Sequence, residues 1–367
     1  MKSLQNILLL VEPGLRTGFF DAGQSKPGLR TGSTMWRHGV ATLVALITPL
    51  AFAHANLSGG QPSTPLSGVL RLAGNPEMSG VVARWSAEFQ KLHPAVRVES
   101  HLTGSDTGIA ALYTGKAQLA LLGRAPTASE IQAFEWIFHY KPAQVEIMTG
   151  SLNRAGKSPA LVLFVHRDNP LAALSLAQLD AIFGTEHRLA PADIRTWGQL
   201  GLTGEWADQP IHLYAPDAMS GTGRFFRHVV LNDSRMMNWA QLTEFSDTNV
   251  PRAATHDAGR QIIAALAQDR DGLAVASLDC ATDQVRPVMV SVTATRDTLM
   301  SRQYPLTRAA PACYNRPPGA APDPLVAEFL RYILTPAGQQ AVADDGGYLP
   351  LTGSLVAEQA QRLQQSP

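Results

Sequence analysis

Two short stretches carry residue types suited to holding an anion: Gly104-Ser105-Asp106-Thr107-Gly108 and Ser220-Gly221-Thr222-Gly223. Each follows an apolar, strand-like run and opens a segment with helical periodicity. A Gly/Ser/Thr turn at a helix N-terminus offers unpaired backbone N–H groups, hydroxyls and the positive end of the helix dipole. Ser105 or Ser220 taken singly is an N-cap. Two such turns more than a hundred residues apart predict a cleft in which two lobes close on a small anion.

Other chemistries have less support. Asp106-Thr107-Gly108 matches the short aspartic-protease signature, but those enzymes need a second carboxylate to share a proton. The sequence has no second Asp-Thr/Ser-Gly, and the flanking pattern is helical. The histidines downstream of residue 55 have no His-x-His or His-x-x-x-His spacing, so no metal site is expected. No Gly-x-Ser-x-Gly elbow, Walker loop or nucleophile beside a base is found. No cofactor is called for.

The elements that would position the two turns alternate between strand and helix. Val69–Ala73 predicts a strand. Met78, Val81, Val82, Trp85, Phe89 and Leu92 predict one face of a helix stopped by His93-Pro94. Val96–Val98 starts a strand, Ser105 to about Tyr113 a helix ended by Gly115, and Leu119–Leu122 a further strand. Thr127-Ala128-Ser129-Glu130 and Ser175-Leu176-Ala177-Gln178 are capping boxes that open helices. This opening argues for an α/β domain with a mostly parallel sheet. Leu161–Val165 begins a second lobe. There Ile211–Tyr214 leads into Ser220-Gly221-Thr222 and a helix carrying Phe225, Phe226, Val229 and Val230. A helix around Ile262, Ile263 and Leu266, a strand over Leu273–Ala276 and a helix over Leu325–Ile333 follow. Thr335-Pro336 then caps another helix.

The 367 residues allow about two domains, and 45% hydrophobic with 16% charged residues suits a globular chain. Met35–Ala55 has a short basic start, an apolar run over Val40–Phe52 and an Ala53-His54-Ala55 exit, the pattern of a secretory signal peptide. Met1–Thr34 holds two copies of Pro-Gly-Leu-Arg-Thr-Gly and comes either from an upstream start codon or from an extension that makes Val40–Phe52 a signal anchor. Removing residues 1–55 takes five basic groups from 30 and two acidic groups from 30, leaving 25 and 28, a net charge of −3. With no basic stripe, nucleic-acid binding is not expected, and any anion affinity must be local. Cys280 and Cys313 fit either one bridge in an oxidising compartment or two buried thiols.

More specific wording accumulates along the chain. Gly104-Ser105 with Ile109–Leu112, Gly115–Ala120, Glu130–Glu135 and Tyr140-Lys141-Pro142 resembles the first lobe of exported phosphate-binding proteins of ABC transporters. Phe164–Leu171 resembles the crossover into their second lobe. Leu176–Phe183, Trp197–Trp206, Ser220–Thr222, Tyr304–Leu306 and Gly338–Gln340 match as well, over roughly residues 69–351. The resemblance implies a periplasmic-binding-protein-like α/β fold, two lobes with mixed sheets joined by hinge crossovers. Residues 56–67 would be a linker, 68–157 with 303–367 the first lobe, and 158–302 the second. It implies a periplasmic or otherwise exported, monomeric, non-enzymatic protein that hands phosphate or a similar oxyanion to a membrane permease.

Carried over by position, Ser105 matches the family's first-lobe seat, and Ser220, Gly221 and Thr222 the second-lobe seat. Four positions depart from the pattern. Glu77 stands where the family has Thr, Gly123 where it has Asp or Ser, Pro216 where an arginine pairs with the anion, and Val275 where Tyr is common. Glu77 either faces the cleft and repels an anion or is solvated in a first helical turn. Arg124 or Arg224 is a candidate replacement for the missing guanidinium. Two alternatives stand beside phosphate capture: a lobe with altered or lost ligand used in sensing or partner docking, and a hydrolase on the same scaffold.

Overall fold

The computed structural model describes residues 65–189, 192–247 and 257–365. The signal-peptide and extension readings lie outside these residues. The chain opens as β1 (Gly68–Gly74), α1 (Ser79–Leu92), β2 (Val96–His101), α2 (Ser105–Tyr113), β3 (Leu119–Leu121), α3 (Ala128–Phe138) and β4 (Ala143–Thr149). It crosses through residues 150–160 into β5 (Leu161–His166), β6 (Ala173–Leu174), α4 (Leu176–Phe183), β7 (His212–Pro216) and α5 (Gly221–Val230). Next come β8 (Leu242–Phe245), α6 (Ala258–Leu266), β9 (Gly272–Ser277), β10 (Val285–Val290) and α7 (Arg296–Met300). Residues 301–308 return to β11 (Ala309–Tyr314), α8 (Pro324–Ile333), α9 (Pro336–Asp345) and α10 (Gly353–Gln364).

The first sheet runs β2-β1-β3-β11-β4 and the second β6-β10-β5-β9-β7-β8. Around the first, α1 buries Val81, Val82, Trp85 and Phe89 at the spacing its sequence dictates. Trp85 Nε1 donates to the Gly338 carbonyl at 2.8 Å, so the one polar atom of this buried ring ties α1 to α9. In the second core, Phe183 and Phe226 meet edge to face with centroids 4.9 Å apart. Both sequence-predicted capping boxes form, at Thr127/Glu130 and Ser175/Gln178.

The predicted mostly parallel sheet is mixed. β1 pairs parallel with β2 and β3, but β11 enters between β3 and β4 and runs antiparallel to both. Pro311 hides this strand from the sequence, because a proline argues against a central strand. The register shifts at Ala310/Pro311, and this bulge accommodates the missing N–H. The second sheet is also mixed, with β5 antiparallel to β9 and β10 and β7 parallel to β8 and β9.

The two crossovers run side by side. Gly150 N–H donates to the Arg308 carbonyl at 2.9 Å and Leu161 N–H to the Leu306 carbonyl at 3.2 Å. A Cβ at Gly150 would lie 2.2 Å from the Ser158 carbonyl oxygen within the same crossover and 3.1 Å from Arg308 Cβ in the other, so glycine suits this packed position. Cys280 and Cys313 are both free and buried, in separate apolar clusters. Burial pushes the Cys313 thiol up to about 12. No described helix is long and apolar enough to cross a membrane.

Candidate functional site

The first βα turn is built on Asn75. Its Oδ1 accepts from Glu77 N–H at 3.0 Å and caps a 3-10 turn over Pro76–Met78. Its Nδ2 donates to Ser158 Oγ and to Glu77 Oε2, each at 3.3 Å. Glu77 Oε2 also accepts from Ser158 N at 2.8 Å and Ser158 Oγ at 2.9 Å. Glu77 is therefore not a solvated first-turn residue. Its half-buried carboxylate lines the cleft and is held by the first crossover. Ser158 adopts φ 46°, a left-handed conformation that aims its N–H and hydroxyl at the same oxygen.

Ser105 opens α2, and its Oγ accepts from Gly123 N–H at 3.1 Å. A Cβ on Gly123 would lie 2.2 Å from Asn75 Nδ2 and 2.6 Å from Ser158 Oγ. The space a Ser or Asp side chain would need is occupied by the network that carries Glu77. Residues 77 and 123 thus belong to one network.

On the other side of the cleft, Ser220 caps α5, accepting from Gly223 N–H at 3.0 Å and donating to the Asp217 carbonyl at 2.7 Å. Gly221 faces open space. Pro216 ends β7, buried and paired in register with Phe245. Val275 is fully buried in β9 and packs in the second lobe's core.

A buried guanidinium lining the cleft belongs to Arg308, in the second crossover. It is 6% exposed, and its Nη2 donates to Thr222 Oγ1 at 2.9 Å. It lies 4.8 Å above the Phe225 ring. Its Nε is buried and has no hydrogen-bond partner among the described residues. Loss of solvent pushes its pKa down to about 10, against the raising charge of Glu77. An anion entering beside it would remove that penalty. The residue carries no motif and precedes a strand that its proline disguises, so only its folded position reveals it.

Arg124 and Arg224 are engaged elsewhere. Arg124 donates from both terminal nitrogens to the Glu130 carboxylate at 2.8 Å, and also to Asp106. Burial pulls its pKa down, but Glu130 and Asp106 outweigh that and raise it. Arg224 Nη1 donates to Asp106 Oδ1 at 2.9 Å. Asp106, at the head of α2, is thus shared between an arginine beside the first sheet and one on α5 beside the second. Asn75, Glu77, Ser105, Gly123, Arg124, Pro216, Ser220–Thr222 and Arg308 all line one cavity of about 340 Å³. Of its two buried guanidiniums, Arg124 is committed to Glu130 and Asp106, so its hydroxyls, helix-start N–H groups and the Arg308 guanidinium form the donor set for a small oxyanion.

Residues 59–337 match the family model described as the PBP superfamily domain. The phosphate-binding protein PstS of Pseudomonas aeruginosa PAO1 is 31% identical over 332 residues, spanning 88% of this chain and 93% of that protein. Protein SphX of Synechococcus elongatus is 22% identical over 87% of this chain and 88% of its own. Among solved structures, PstS from Borrelia burgdorferi aligns with TM-score 0.54 at 16% identity, covering 78% of this chain and all of that one. An ABC-type phosphate transport receptor from Vibrio cholerae aligns with TM-score 0.51 at 18% identity, covering 76% and 99%. The structural likenesses establish the fold, and the family model and the Pseudomonas relative establish the lineage: the chain belongs to the PstS family of phosphate-binding proteins within the PBP superfamily.

Proposed function

We propose that this protein captures inorganic phosphate, or a closely similar tetrahedral oxyanion, between its two lobes and presents it to an ABC permease in the membrane. The observation that carries the reading is Arg308, a buried guanidinium with an unused Nε at the hinge. It supplies the charge that Pro216 cannot. Ser105, Ser220, Gly221 and Thr222 would give the hydroxyl and N–H half of the seat, from lobes spanning 68–157 with 303–367 and 158–302. Ser105 Oγ accepts from Gly123 N–H and keeps its own proton for an anion oxygen, whereas Ser220 spends its hydroxyl proton on the Asp217 carbonyl, so the second-lobe contribution would come mainly from the helix-start N–H groups of Gly221 and Thr222. Export by an N-terminal signal would place the protein where such a ligand is collected.

Calorimetry of the purified protein against phosphate and sulfate tests this. Saturable phosphate binding at a site that Arg308→Ala abolishes supports the reading. No heat and no thermal shift with either anion would instead favour a lobe used for sensing or docking, with Glu77 closing the cleft to anions.

A further inference from the structure

A second cavity, of about 370 Å³, lies between the first turn of α3 and the outer face of α5 and touches the central cleft only at Asp106 and Arg124. Four guanidiniums line it, from Arg124, Arg224, Arg227 and Arg235, against the carboxylates of Asp106, Glu130 and Asp233. Those carboxylates are committed. Glu130 takes Arg124, Asp106 is shared by Arg124 and Arg224, and Asp233 holds His228 at 3.0 Å. Arg227 and Arg235 have no carboxylate within ion-pair distance among the described residues. Arg227 spends Nη1 on the Ala218 carbonyl at 3.0 Å, and its buried Nε has no hydrogen-bond partner among the described residues. Its pKa is held below the ordinary arginine value by desolvation first and then by the neighbouring charge of Arg235. Two like charges beside one cavity, neither in an ion pair with a carboxylate among the described residues, form a site that a counter-ion would relieve. The cavity has walls from both lobes, Ala125–Glu130 from one and α5 from the other, so it exists in this form only when they are together.

We propose that this cavity is a second oxyanion site, taking a small free anion of charge −2, such as hydrogen phosphate, on Arg227 and Arg235 at the mouth of the cleft. The proposal goes beyond capture in the central cleft and rests on it only for the choice of phosphate as probe. Its chemistry would also suit a phospholipid headgroup, but its place between two lobes favours a free ion.

The test is calorimetry of the full protein with inorganic phosphate at low salt, on wild type, Arg308→Ala, Arg235→Glu and the double variant Arg227→Gln/Arg235→Gln. Two binding events are expected in wild type. The weaker should fall roughly tenfold or more in both Arg235 variants, since each removes a charged partner of the anion. Arg308→Ala should leave the weaker event and remove the tighter one. Arg235→Glu changes an exposed side chain, so it reports even where the double variant is poorly folded. If central capture fails altogether, an event sensitive to Arg235→Glu but not to Arg308→Ala would still support the second site. A single event that both Arg235 variants leave unchanged would overturn it. So would Arg235-dependent sedimentation with phosphatidylglycerol vesicles in the absence of any second phosphate event.

Discussion

Arg308 is charged, buried and only partly compensated, and this sets its energetics. Its folded-state pKa of about 10 lies below the ordinary arginine value. The unfolded chain therefore holds this proton more tightly than the native state. The cost to stability is fully present below pH 10 and is relieved only as pH rises above it. Replacing the side chain by an apolar one of similar reach removes that cost. Arg308→Met is expected to raise stability without phosphate by on the order of 1–3 kcal/mol, while removing the stabilisation that tight phosphate binding in the central cleft adds. Urea unfolding with and without phosphate checks both halves. Gly123 gives the converse case. Gly123→Ser restores a residue type of the family yet drives a Cβ into Asn75 and Ser158. It should cost about 1–3 kcal/mol, read by the same unfolding curves, because it breaks the network that holds Glu77.

Elements whose ends carry side-chain caps were legible from sequence, because a cap is a local interaction between residues three apart. Thr127/Glu130, Ser175/Gln178, Ser220 and Thr335 each start the helix their residue types predict. β11 was not legible, since its central placement depends on β3 and β4 and its Pro311 signals the opposite. The same divide runs through the site. Ser105 and Ser220–Thr222 sit in turns with a local signature, whereas Arg308 reaches Thr222 from 86 residues away. The fates of Cys280 and Cys313 likewise depended on which cores they joined. Across the cleft, α2 meets α5 through Asp106 and Arg224. The pair is partly solvated, with 68% and 27% of the side chains exposed, so it should add little. Arg224→Ala is expected to weaken phosphate binding by less than about 1 kcal/mol, and less still at high salt. Calorimetry at two ionic strengths measures it.

Two sheets, two crossovers and one cleft make stability and binding a single linked property. Phosphate at about a hundred times its Kd should stabilise the native protein by about 2.7 kcal/mol through mass action alone. Because Cys280 and Cys313 are free, buried and in separate cores, a reductant should leave the melting temperature unchanged. Differential scanning calorimetry with and without dithiothreitol reads this. On the proposed reading, Arg308 in the second crossover supplies the counter-charge for the anion that Pro216 cannot. The most direct test is the phosphate Kd of Arg308→Ala against wild type, with Arg224→Ala as a control. A loss of about 30-fold to several-thousand-fold at Arg308 is predicted, as for a desolvated guanidinium–anion pair. An Arg308→Ala protein that binds phosphate within about threefold of wild type, a difference of less than 1 kcal/mol, would contradict the account.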